Sequence, residues 1–117
     1  MRERFDGWVK RYLKAWNSNE RADIEDLFAA EGAYFTEPYA EPWRGREEIV
    51  AGWLKQEDEP GDTNFSYEVI AADGDLGIVR GTTDYKSSGK SYSNLWLVRL
   101  DDDDRALEFV EYWMLIK

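Results

Sequence analysis

The hydrophobic pattern of this 117-residue chain changes period near residue 60, and that switch limits the folds open to it. Before Gln56 apolar residues recur every three or four positions, as on a helix. After Asp62 they alternate, as on a half-buried strand. Phe5, Trp8, Val9, Tyr12, Leu13 and Trp16 share one helical face, with Lys10, Arg11 and Lys14 opposite. Asn17-Ser18-Asn19 ends that helix. Ile24, Leu27 and Phe28 give a short second helix that stops at Gly32. Ala33–Phe35 reads as a brief strand, and Pro38 and Pro42 then impose a loop. Gly45 opens a third helix, with Glu47 and Glu48 in the first turn, where the helix dipole favours acids. Its apolar side is Ile49, Val50, Trp53 and Leu54.

Four strands follow, Asn64–Ala72, Leu76–Tyr85, Ser91–Leu100 and Ala106–Ile116. Asp73-Gly74, Ser87-Ser88-Gly89 and Asp101–Asp104 are the turns between them. Helices first and an antiparallel meander second give an α+β class, one domain over residues 1–117, with three N-terminal helices packed on one face of a curved antiparallel sheet. The last two strands are apolar on both faces. Asn94, Trp96, Val98, Phe109, Glu111 and Trp113 lie on one, and Leu95, Leu97, Val110, Tyr112, Met114 and Ile116 on the other. Helices cover one side only, so the second face is expected to meet another copy of the chain, a homodimer through the outer sheet face.

Composition removes several classes of function. With no cysteine there are no disulfides and no thiolate chemistry. With no histidine there is no histidine triad and no histidine metal site, and no metal or cofactor is expected. A net charge of −10 makes nucleic acid and anionic membrane surfaces poor partners. Asp101–Asp104 lacks the glycine and terminal glutamate of a calcium loop and reads as a solvated turn. The charged N-terminal run carries no apolar signal core, so a cytoplasmic location is expected.

Several segments carry a family resemblance. They are Tyr12-Leu13-Lys14-Ala15-Trp16-Asn17, Leu27-Phe28-Ala29, the Pro38–Pro42 loop leading into Gly45-Arg46-Glu47-x-Ile49, and Glu111-Tyr112-Trp113. Together they resemble the SnoaL-like branch of the nuclear transport factor 2-like superfamily, over nearly the whole chain. The resemblance implies a cone-shaped fold, a strongly bent sheet wrapped on helices with a deep pocket inside and often a dimer outside. The superfamily holds ketosteroid isomerases, polyketide cyclases, dehydratases, epoxide hydrolases and many non-enzymes, so it names no reaction. Against the steroid isomerases, Tyr12 matches the tyrosine that donates to an oxyanion, and Glu37 before Pro38 matches the general base. Trp96 stands where their second, acidic donor lies, and an indole N–H donates but holds no tunable proton.

The candidate site follows. Glu111 alternates between Phe109 and Trp113 and so faces the interior. A carboxylate there serves proton transfer, or else a structural bond to Asn94, Arg80 or a tyrosine. Glu37 and Tyr12 form a second catalytic pair, with the open alternative that Tyr12 edges the core and Glu37 faces water. Trp16, Tyr34, Tyr39, Trp43, Trp53, Asn94, Trp96 and Trp113 are expected around a small hydrophobic ligand. The acidic balance also allows an aromatic cage around a cation. Two readings stand together: a cofactor-free isomerase, cyclase or dehydratase, and a non-catalytic binding or interaction module whose pocket its own aromatics largely fill.

Overall fold

Trp8 explains why the helical half stays attached to the sheet. In the computed structural model, which describes residues 2–117, its indole is fully buried and its Nε1–H donates to the Leu27 carbonyl at 2.9 Å. The same carbonyl accepts from the Ala106 N–H at 2.7 Å. One peptide oxygen therefore joins the first helix, the start of the first strand and the last strand.

The elements run α1 (Arg2–Ser18), α2 (Arg21–Glu25), β1 (Phe28–Phe35), β2 (Trp43–Arg44), α3 (Arg46–Lys55), β3 (Thr63–Asp73), β4 (Leu76–Tyr85), β5 (Ser91–Leu100) and β6 (Ala106–Leu115). All six strands form one sheet in the order β2-β1-β6-β5-β4-β3. The meander β3–β6 is antiparallel, whereas β1 joins β6 in parallel. Phe5, Trp8, Val9, Tyr12 and Ala15 of α1 bury the concave face together with Ile49, Val50 and Trp53 of α3. Against them stand Val79, Trp96, Val98, Leu100 and Phe109 of the sheet. The outer face keeps Ile78, Leu95, Leu97 and Val110 partly exposed and Tyr112 and Met114 open to solvent.

The main departure from the sequence reading is at Leu27 and Phe28. They do not extend α2, which ends at Glu25. Leu27 follows it, and Phe28 opens an eight-residue β1 instead of the brief Ala33–Phe35 strand. The pull is tertiary: both side chains are fully buried, and Leu27 O is held by two donors. Gly32 is therefore not a helix stop. It sits inside β1, where the register against β6 slips between Phe28 and Ala33. A Cβ there would lie 2.6 Å from the Ala106 carbonyl oxygen, so only glycine fits. Gly45 does cap α3, with φ +82°. Arg46 then anchors that helix, its Nε and Nη2 donating to Phe28 O at 3.1 and 2.8 Å. Leu54 turns out to be exposed at the rim of α3.

Candidate active site

Alternation on β6 sends Glu111 inward, and the neighbouring strands supply its donors. Trp96 lies opposite it on β5, and its Nε1–H donates to Glu111 Oε2 at 3.0 Å. Asn94, one inward position along, donates from Nδ2 to the same oxygen at 3.0 Å. Thr83 Oγ1 of β4 donates to Asn94 Oδ1 at 2.7 Å, which fixes the amide so that its N–H₂ faces the carboxylate. Thr83 and Asn94 are themselves buried. The chain of bonds crosses three strands and ends on one carboxylate oxygen. The other oxygen, Oε1, receives no protein hydrogen bond among the described residues and is left for the cavity.

Burial raises the Glu111 carboxyl from its usual 4.5 to about 7, and the nearby Asp58 charge pushes the same way. The Trp96 and Asn94 bonds oppose that rise because they favour the charged form. Glu111 is thus poised to give or take a proton near neutrality. Arg80, a possible structural partner, is not near it. It lies on the outer face beside Glu68, at 3.5 Å.

The cavity over Glu111 has a volume of about 600 Å³. Tyr12 from α1 and Tyr34 from β1 meet there, hydroxyl to hydroxyl at 2.8 Å. Burial holds both phenols well above their usual range, so they stay neutral donors. One of the two protons makes the mutual bond. The other is free for an oxygen in the cavity, strengthened by the bond behind it. Trp16, Trp43 and Trp53 wall one side, and Trp113 stands half-exposed at the mouth. Trp96 is fully buried below the cavity and reaches it only through Glu111.

Two expected residues lie elsewhere. Tyr39 is fully exposed, because the proline loop turns away from the cavity. Glu37 is exposed too and borders a separate outer groove with Arg80, Leu95 and Tyr112. The stiff loop delivers Trp43, not its acid, to the site: β2 pairs Tyr34 with Trp43, whose rings are 5.0 Å apart.

Other residues escaped the sequence reading. Tyr85 and Tyr92 line the cavity on the inward faces of β4 and β5, and strand alternation from Thr83 and Asn94 could have placed them. Asp58 and Asp62 also line it, from a segment with no periodicity to read. Trp16 Nε1–H donates to Asp58 Oδ2 at 2.8 Å, and Asn19 Nδ2 donates to the Asp58 carbonyl at 2.9 Å. Asp62 accepts from the Ser87 N–H and hydroxyl, each at 2.9 Å. Among the described residues no cluster of three or more metal-ligating side chains occurs, and no helix is long and apolar enough to cross a membrane.

No curated protein matches the chain. Solved structures share its fold. A nuclear transport factor 2-like protein of unknown function from Mesorhizobium loti is 23% identical, with a TM-score of 0.69, over 96% of this chain and 92% of that one. A protein of the same description from Burkholderia xenovorans is 14% identical, with a TM-score of 0.74, over 96% and 84%. A ketosteroid isomerase-like protein from Erwinia carotovora atroseptica is 19% identical, with a TM-score of 0.67, over 93% and 92%. The sequence model of the SnoaL-like domain matches residues 9–109, from the first helix into β6 and two residues short of Glu111, and the chain belongs to that family.

Proposed function

We propose that this protein binds a small organic molecule with an apolar body in its cavity and moves a proton on it without a cofactor. Glu111 is the acid–base group, and the Tyr12–Tyr34 pair holds the developing oxyanion. The observation that carries this reading is the half-satisfied carboxylate: Oε2 is fixed by Trp96 and Asn94, while Oε1 is free in a cavity that also presents a spare phenol proton. Abstraction next to a carbonyl fits that arrangement. The C–H bond breaks, the proton goes to Glu111 Oε1, and the electron pair moves to the carbonyl oxygen facing the tyrosines. Return of the proton to a different carbon is an isomerisation. If instead the enolate pair forms a C=C bond and the C–O bond of a neighbouring hydroxyl breaks, Glu111 gives its proton to the departing oxygen, water leaves, and the reaction is a dehydration.

A test independent of the natural substrate is α-proton exchange of 2-tetralone in D₂O, followed by NMR. The wild-type protein is expected to accelerate exchange, with a rate that rises with pH through about 7 as Glu111 ionises. Glu111→Gln is expected to lower that rate about 10²- to 10⁴-fold, the usual span for one general base. An unchanged rate in Glu111→Gln would remove Glu111 from the chemistry. The non-catalytic reading has the aromatics themselves close the cavity. Against it stand the open volume of about 600 Å³ and the position of Trp8, Trp96 and Phe109 beneath it, in the core.

The same proposal includes assembly. The outer sheet face pairs with a second copy, supported by Leu95, Leu97, Val110, Tyr112 and Met114 on one uncovered surface. Sedimentation at micromolar concentration is expected to give a dimer, and Leu97→Glu a folded monomer. A monomeric wild-type protein at that concentration would refute the pairing.

A further inference from the structure

Among the described residues, the ion pairs avoid the cavity. Arginines and lysines pair with carboxylates at the surface, such as Arg11 with Asp26, Arg21 with Glu47, and Arg4 with Asp104. Four carboxylates line the cavity: Glu57, Asp58, Asp62 and Glu111. None has a basic partner within 4.0 Å among the described residues, and Lys90, at the exposed rim, is the one basic side chain in the lining. The donors that hold these acids are neutral: an indole on Asp58, a serine on Asp62, an indole and an amide on Glu111. Such donors orient a carboxylate without cancelling its charge.

The rest of the lining is aromatic. Tyr85 and Tyr92 meet edge to face at 5.6 Å, and Tyr92 meets Trp113 the same way at 5.7 Å. Trp16, Trp43 and Trp53 stand among the acids. Ring faces carry negative potential and attract cations within about 6 Å. A ligand filling this space expels the water that solvates the carboxylates. A neutral ligand leaves them unpaired at a cost, and an anion adds repulsion to that cost. A positive group offsets both.

Resting on the small-molecule reading above, we infer that the occupant of this cavity is an organic cation, an apolar body carrying a protonated amine or quaternary ammonium. The body lies against the indole rings and the positive end toward Asp58 and Glu111. This assignment narrows the ligand class from hydrophobic molecules at large to amphipathic amines.

Three probes with the same body and different charge test it by calorimetry at pH 8: 4-phenylbutylamine, 4-phenylbutanol and 4-phenylbutyrate. Sodium chloride at 0.15 M screens the general attraction of a chain of net charge −10 for any amine. The amine is expected to bind about tenfold or more tightly than the alcohol, as one desolvated cation–π contact plus one carboxylate allows, and the butyrate not to bind. Asp58→Asn keeps an oxygen for the Trp16 indole. It is expected to narrow the amine's lead several-fold while leaving the alcohol unchanged. Equal binding of alcohol and amine, a preference for the butyrate, or an undiminished lead in Asp58→Asn would overturn the cation and leave the small-molecule reading standing. Failure of all three probes to bind would count against that reading as well.

Discussion

Replacing Glu111 with glutamine is expected to make the protein more stable at pH 8, by about 1–3 kcal/mol, and to change its stability at pH 4 by less than about 0.5 kcal/mol. The folded-state carboxyl titrates near 7 and the unfolded one near 4.5. Below 4.5 both states hold the proton and the group contributes no difference. Between 4.5 and 7 the folded state keeps a proton that the unfolded state has released, so stability falls as pH rises. Above 7 the whole penalty is present, roughly 3 kcal/mol from the shift alone. Water in the cavity screens part of it. Glutamine carries no charge, yet its amide oxygen accepts from Asn94 and Trp96 as Oε2 does now. Urea unfolding of both proteins at pH 4 and pH 8 gives the four midpoints needed, and the other titrating groups cancel in the difference between them. A variant less stable than wild type at pH 8 would mean that Glu111 is a structural acceptor whose charge stabilises the fold. The expected sign describes a residue kept at the expense of stability, as acid–base groups commonly are.

Where the chain obeys one period, the sequence already places its atoms. Leu76–Tyr85 and Ser91–Leu100 are strands over the residues that alternation and turn chemistry indicate. The same alternation sets Glu111 beside Asn94 and Trp96, because opposed inward positions on paired strands must meet. Where two signals compete, tertiary contacts decide. Leu27 and Phe28 have helical spacing after Ile24, but docking beside Ala106 draws Phe28 into β1. The proline loop promised rings and an acid. It delivers Trp43 through β2 and leaves Tyr39 and Glu37 outside, since side-chain direction in an irregular loop depends on where the loop is pinned. Asp58 could not have been found at all, because its place depends on Trp16 and Asn19, which reach it from 42 and 39 residues away.

Trp8→Ala is expected to cost about 3–5 kcal/mol of stability. Three rings rest on this indole: Phe109 at 5.4 Å, Tyr12 at 5.5 Å and Phe28 at 6.2 Å. Truncation opens a void that rings held by strand and helix backbones cannot collapse to fill. A domain of this size has a total stability of about 5–15 kcal/mol, so the variant is left near its threshold at 37 °C. Trp8→Phe separates the two contributions of the side chain. It keeps most of the packing and loses the indole N–H, but Leu27 O retains the Ala106 N–H and is not orphaned. That variant is expected to cost only about 1–2 kcal/mol. Guanidinium unfolding, followed by the fluorescence of the other tryptophans, measures both. Equal losses in the two variants would assign the effect to the hydrogen bond and not to packing. The larger loss in Trp8→Ala is also expected to loosen Tyr12, whose ring lies against Trp8 and Phe109 and whose hydroxyl must stay on Tyr34 to present its proton to the cavity. The core of this domain and the proposed site thus share a wall.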